Sequence, residues 1–308
     1  MTRGRYAPSP TGTLHLGNAS TALCAWLSAR SQGGRFFLRM EDLDRPRVVP
    51  GTAGRILDDL RWMGLDWDDE PIAQSDRLGL YDAAFETLRT AGRIYPCFCS
   101  RRDIAAAASA PQAPGDETPY PGTCRSLPAS AVAERLAAGR AHAWRFRVEP
   151  EQLEAFDDLV RGRTTPEPGA VGDFVVRRAD GVPAYQLAVV VDDAAMGIDE
   201  VVRGGDLLAS TPRQLLLYRA LGDRPPRFAH VPLLLGPDGV RLSKRHAGVT
   251  LAELRDAGWT AGRVNGLLAS VLGLAPSERD ALPKDLVEGF SIARLADVPA
   301  EIIVPALV

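Results

Sequence analysis

The sequence predicts an α/β protein: a nucleotide-binding βαβ unit, an insertion of different composition, a second half of the same sheet, and a short helical end. Three observations predict it. A turn-rich segment, Pro8–Gly12, separates a short strand from a helical pattern that Gly33-Gly34 ends. After Pro96 the composition shifts towards Ala, Pro, Gly and Cys. After Gly172, strand-like and helix-like runs alternate again.

Taken in order, Arg5–Ala7 is the first strand. A helix follows over Leu16–Arg30, with Leu23, Trp26 and Leu27 on one face, and Arg35–Met40 is a buried strand. The crossover between the two strands is expected to be right-handed. Thr52–Met63 and Leu78–Ala91 read as amphipathic helices, the second with Leu80, Ala84 and Leu88 at helical spacing. Ala105–Ala110 extends a helix and Pro111–Gly115 is a loop. Phe174–Arg178, Ala179–Gly181 and Ala184–Val191 read as strand, turn, strand. Val201–Gly205 leads to a helix with Thr211 as N-cap and Pro212 in its first position. Arg227–Leu235 reads as one strand, Gly236–Gly239 as a turn, and the chain from Leu251 as mainly helical. Four units result: 1–96, an insertion 97–165, 166–250, and a helical stem 251–308.

Composition narrows the function class. A hydrophobic share of 45% and a charged share of 24% suit a globular enzyme. The longest apolar runs, such as Ala188–Val191, are too short to span a bilayer, and MTRGRYAPSP lacks the apolar stretch of a secretory signal. No membrane association and a cytoplasmic location are expected. A net charge of −3 does not announce a nucleic-acid partner, so any RNA binding has to use local patches. Arg101-Arg102 and Arg177-Arg178 are candidate phosphate contacts. Of the four cysteines, Cys97, Cys99 and Cys124 fall within one short region, which points to a metal rather than to disulfides. Among 36 basic residues only two are lysines, Lys244 and Lys284.

Two segments carry phosphate chemistry. Pro8–Asn18 joins a strand to a helix N-terminus, where free N–H groups and the dipole favour an anion. His15 can donate to a phosphate oxygen, and Gly17 lets a flat ring approach the backbone. Singly, His15 also fits a capping surface histidine and Gly17 a packing glycine. Gly239–Arg245 follows a strand and a turn. Its Lys244 is a flexible ammonium suited to a phosphate whose charge shifts during reaction.

Together these segments resemble the HIGH and KMSKS motifs of class I aminoacyl-tRNA synthetases. Arg5–Gly12 with His15–Asn18, Leu38–Arg45, Val202–Asp206 and Thr211–Gln214 are similar to the glutamyl branch, and the resemblance runs from Arg5 to about Leu254. It implies a Rossmann-type class I synthetase catalytic core with a zinc-binding insertion. It implies ATP binding by Thr11, His15, Gly17, Asn18, Leu242, Ser243 and Lys244, with His15 and Lys244 catalytic and Mg²⁺ carried by ATP. It implies an L-glutamate pocket of Arg5, Ala7, Ser9, Glu41, Tyr185 and Arg203. Two arginines can fork onto the two carboxylates, and Glu41 can accept from the ammonium. The resemblance also implies one structural Zn²⁺ on Cys97, Cys99, Tyr120 and Cys124. Ser126 stands where relatives sometimes carry a ligand, and His142 is a weaker fourth candidate.

Only residues 246–308 follow the KMSKS-like loop, too short for the helical anticodon-binding region of a bacterial glutamyl enzyme. The chain therefore resembles the truncated paralogues of that branch, which attach glutamate to the queuosine base in the anticodon of tRNA(Asp). They imply a queuosine-bearing tRNA(Asp) partner and a monomer. The nearest alternative is an enzyme charging tRNA(Glu). Further off stand a nucleotidyltransferase of the same fold and a non-catalytic tRNA-binding module.

Overall fold

The computed structural model describes residues 1–100, 102–104, 120–167, 169–242, 250–275 and 279–304. The first part contains β1 (Arg3–Tyr6), α1 (Leu16–Ser31), β2 (Arg35–Met40), α2 (Thr52–Trp62), β3 (Ile72–Ala73) and α3 (Leu78–Thr90). The middle contains β4 (Ile94–Cys97), α4 (Ala129–Ala137), β5 (Ala143–Phe146), β6 (Phe156–Asp158), β7 (Gly162–Thr164) and β8 (Phe174–Arg177). Then come α5 (Tyr185–Ala195), β9 (Glu200–Gly204), α6 (Thr211–Leu221), β10 (Arg227–Val231) and β11 (Leu233–Leu235). The chain closes with α7 (Leu251–Asp256), α8 (Ala261–Val271) and β12 (Glu301–Ile303). The expected helix at Ala105–Ala110 and loop at Pro111–Gly115 lie outside the described residues.

A seven-stranded sheet runs β3-β2-β1-β9-β10-β6-β7. It is parallel except for the β6–β7 hairpin at its edge. From β1 the chain crosses outward to β2, and from β9 it crosses the other way to β10. The strand order therefore reverses between β1 and β9, and a parallel α/β sheet binds ligands at the carboxyl ends of such strands. Helix α1 packs directly behind this point. A Cβ on Gly4 would sit 3.2 Å from that of Ala29, so any larger residue there would press the helix back from β1. Leu16, Leu23 and Leu27 are fully buried on α1, each contributing roughly 1.5–3 kcal/mol.

A second sheet, β4-β5-β8, is antiparallel. The insertion 97–165 does not coincide with either sheet. β6 and β7 fall inside it but pair in the main sheet, whereas β8 falls after it and pairs in the small one.

Four expectations are corrected. Ala184–Val191 is not a strand but most of α5. Its run of apolar residues is buried against α3, α6 and β8, and a segment covered on all sides shows no period to separate helix from strand. Arg227–Leu235 is two strands in different sheets, broken at Pro232, which has no N–H for a ladder. The N-cap of α6 is Ser210 rather than Thr211, whose hydroxyl is engaged elsewhere. The helical stem ends on β12, which pairs in parallel with β11 and brings the end of the chain back to the strand before the KMSKS-like loop.

Candidate active site

The loop after β1 ends at His15, which caps α1. Its Nδ1 accepts from the backbone N–H groups of Gly17 (3.1 Å) and Asn18 (3.3 Å), and the Asn18 side chain accepts from the His15 N–H in return. Nδ1 is therefore bare and Nε2 carries the proton. Burial, reinforced by the charge of Arg241, lowers the His15 pKa to about 4, so the ring is a neutral donor at pH 7. Glycine at 17 has a reason of its own beside the expected room for a base. A Cβ there would lie 3.0 Å from the His15 ring. The cap fixes the tautomer that leaves Nε2–H as a donor.

The far side of this loop is stitched to the segment that follows the KMSKS-like residues. Leu251 N–H donates to Leu14 O at 2.9 Å, and Thr250 forms a bridge with His15. Leu242 is buried and donates to Leu234 O, while Arg241 pairs with Asp206 at 2.5 Å. Ser243 and Lys244 lie outside the described residues; after them Thr250 and Leu251 are anchored on His15 and Leu14, and before them Leu242 is anchored on Leu234. Thr11 N–H donates to Ser9 O at 2.8 Å, and Gly17 and Asn18 form the first turn of α1.

Arg5, Glu41, Tyr185 and Arg203 converge beside it. The carboxyl of Glu41 is raised by burial while Arg39 and Arg5 pull it down, and the Tyr185 hydroxyl is raised by burial and then by Glu41. Arg5, Glu41 and Tyr185 thus lie within one another's field, and Arg203 within that of Arg5 and Tyr185. Both guanidinium forks, however, rest on protein groups. Arg5 directs Nε and NH2 to the two oxygens of Asp193, both at 3.2 Å, leaving NH1 without a partner among the described residues. Arg203 donates to His230, Gln214, Thr211 and Leu207, leaving one NH1 hydrogen. Glu41 accepts from Arg39 on Oε1 and keeps Oε2 free of protein partners among the described residues, while its N–H holds Pro8 O at 3.0 Å. Ala7 is half-buried and Ser9 exposed at the rim.

Sequence reasoning missed the carboxylate that organises this pocket. Asp193 is buried and receives Arg5 on one side and Arg39, at 2.6 Å, on the other. Arg39 in turn holds Glu41 at 3.1 Å. The Arg guanidiniums outweigh burial and keep Asp193 below the usual carboxylate range. The adjacent Asp192 accepts from Arg77, Gln74 and Tyr81. The signal available was an Asp-Asp pair closing an apolar run, which a strand reading leaves unexplained.

Away from this pocket, Cys97, Cys99 and Cys124 place their sulfurs within 4.8 Å of one another. Cys99 and Cys124 are 3.5 Å apart and unbonded, and the Tyr120 oxygen is 3.7 Å from Cys99 Sγ. Tetrahedral ligands with Zn–S near 2.3 Å would stand about 3.8 Å apart, so the set has the size of a metal cage. His142 is not part of it, packing instead between Phe98 and Trp144. The candidate phosphate contacts at 177 and 178 are engaged within the protein. Arg177 pairs with Asp82, and Arg178 with Asp44 and Asp180. Arg101 lies outside the described residues.

The family model for the catalytic domain of class I tRNA synthetases (E and Q) matches residues 1–274. The chain is 53% identical to the glutamyl-Q tRNA(Asp) synthetase of Symbiobacterium thermophilum, across 98% of this chain and 96% of that protein. The chain belongs to the glutamyl-Q tRNA(Asp) synthetase family. The synthetase is also 43% identical to glutamate–tRNA ligase 1 of Halorhodospira halophila, over 96% of its own length and 64% of the ligase. A glutamate tRNA ligase from Elizabethkingia meningosepticum, crystallised with its amino acid, superposes with a TM-score of 0.84 at 30% identity, covering 97% of this chain and 66% of the ligase. The synthetase thus spans about two thirds of these full ligases. No helix among the described residues is long and apolar enough to cross a membrane.

Proposed function

We propose that this synthetase activates L-glutamate with ATP and transfers it to the queuosine base in the anticodon of tRNA(Asp). The observation that carries the first half is the convergence of Arg5, Glu41, Tyr185 and Arg203 beside the His15-capped end of α1. The free NH1 of Arg5 and the one remaining NH1 hydrogen of Arg203 meet the two carboxylates of glutamate, and Glu41 Oε2 accepts from its ammonium. Tyr185, Ser9 and the Ala7 backbone complete the pocket. The α-carboxylate attacks the α-phosphorus of ATP and pyrophosphate leaves. His15 Nε2–H, the helix N-terminus at Gly17–Asn18 and Lys244 stabilise the charge that develops on the phosphates, with Thr11, Leu242 and Ser243 lining the nucleotide. Mg²⁺ enters with ATP and neutralises part of the phosphate charge.

A hydroxyl of the queuosine cyclopentene-diol then attacks the carbonyl carbon of glutamyl-adenylate. An ester forms, and AMP leaves. A cis-diol on a modified base imitates the terminal ribose of a tRNA, which lets one core serve either acceptor. Cys97, Cys99, Cys124 and Tyr120 hold one Zn²⁺ that pins the insertion and takes no part in the chemistry. The synthetase works as a cytoplasmic monomer. The likeness to glutamate–tRNA ligases favours one second reading, charging of tRNA(Glu), and that reading leaves the activation step unchanged.

Glutamate-dependent ATP–pyrophosphate exchange tests the activation step. Exchange is expected with glutamate, and exchange driven by another amino acid instead would overturn the pocket assignment.

A further inference from the structure

Behind Arg203 lies a buried chain that neither the reaction nor the pocket requires by itself. Asp158 stands at the end of β6, His230 on β10, Arg203 on β9, and Thr211 and Gln214 on α6. Asp158 and His230 have no exposed side-chain surface, and Arg203 is 4% exposed. Asp158 Oδ2 lies 2.5 Å from His230 Nδ1, while its Oδ1 accepts the backbone N–H groups of Val160, Arg161 and His230. Arg203 Nε–H points at His230 Nε2 at 2.9 Å. A guanidinium can only donate, so Nε2 must present its lone pair. The ring is then neutral with its proton on Nδ1, where it donates to Asp158. Thr211 completes the lock. Its hydroxyl accepts from Arg203 NH2 at 2.8 Å and can therefore turn its own hydrogen towards His230 Nε2 at 3.2 Å.

We infer that His230, held by Asp158 in the Nδ1–H tautomer, is a positioning residue that aims Arg203 at the glutamate carboxylate. His230 and Thr211 of the relay, with the Leu207 carbonyl and Gln214, engage four of the five guanidinium hydrogens and leave one, on NH1, for the substrate. A second branch runs from Arg203 NH1 through Gln214 to Gln186, next to Tyr185. The same lattice thus sets two residues of the pocket. The inference rests on the reading of Arg203 as a glutamate ligand.

The test separates the two faces of the ring. His230→Gln supplies an oxygen where Nε2 stood and keeps the acceptor for Arg203. His230→Asn supplies an N–H where Nδ1 stood and keeps only the donor to Asp158. In glutamate-dependent pyrophosphate exchange, His230→Asn should raise the KM for glutamate about 10-fold or more, as expected for losing a hydrogen bond to a charged group, with the KM for ATP unmoved. His230→Gln should stay within about 3-fold of the wild type. Equal behaviour of the two variants, or a parallel rise in the KM for ATP, overturns the relay. Arg203→Ala is the control: if it leaves the glutamate KM unchanged, the glutamate assignment has failed rather than the relay. Imidazole ¹⁵N spectra of the wild-type protein, which has four histidines, decide the matter even if a variant does not fold. They should show one buried ring protonated on Nδ1 and bare on Nε2, and the opposite tautomer at His230 overturns the inference.

Discussion

Replacing Asp193 with Asn changes one atom in the pocket and removes the charge that two guanidiniums share. In the wild type, Asp193 takes a fork from Arg5 at 3.2 Å and a bond from Arg39 at 2.6 Å, with its side chain 3% exposed. The amide keeps one acceptor but turns an NH2 towards a guanidinium, so at least one cation loses its partner without water to replace it. Removing one partner of such a buried pair costs about 3–5 kcal/mol. For a chain of this size, where 1 kcal/mol shifts Tm by about 2 °C, the variant should melt about 6–10 °C lower. Arg5 and, through Arg39, Glu41 also lose their aim, so the KM for glutamate should rise while the KM for ATP changes little. Thermal denaturation and pyrophosphate exchange on the same preparation provide both readings. A variant that melts within about 2 °C of the wild type and binds glutamate as well would refute the reasoning.

Other consequences are open to simple assays. Lys244→Ala should lower glutamate activation by orders of magnitude with an unchanged melting temperature; an unchanged rate removes Lys244 from the mechanism. The folded pKa of His15, about 4, lies below the value near 6.5 of an unfolded histidine. The unfolded chain therefore binds more protons between these values, and the His15 contribution to stability is full above about pH 6.5 and fades as pH falls towards 4. Relative to His15→Asn, a capping residue that does not titrate, the wild type should lose melting temperature as pH falls from about 6.5 to about 4, and an unchanged difference across that window would contradict the shift. Cys124→Ser should drop the zinc content, read by atomic emission, from one per chain to near zero while pyrophosphate exchange persists. Gly17→Ala should push a methyl against the His15 ring, now 3.0 Å from that position, and slow activation without abolishing folding.

Much of the fold was legible because its signals were local. The turn residues before α1, the apolar run of that helix and the β2 run marked α1 and β2 nearly to the residue, while β1 begins at Arg3 and ends at Tyr6 rather than spanning Arg5–Ala7. The errors arose where burial or covalent detail overrode pattern. α5 is covered on all sides, so its valines read as a strand. Pro232 splits what looked like one strand, a detail that length and hydrophobicity do not register. The candidate pocket residues were singled out by their motifs, but their partners were not. Asp158 and His230 are 72 residues apart, and only the parallel pairing of β6 with β10 brings them together. Arg5 and Asp193 meet in the same way, through the fold rather than through any spacing in the chain.

The acceptor decides the central claim. Labelled glutamate, ATP and the synthetase should be incubated with queuosine-containing tRNA(Asp), the same tRNA lacking the modification, and tRNA(Glu). The account predicts an ester on the queuosine-containing tRNA(Asp) alone, with the label released by mild base and retained after removal of the 3′-terminal adenosine. Label on the 3′ end of tRNA(Glu), with none on queuosine, would contradict it.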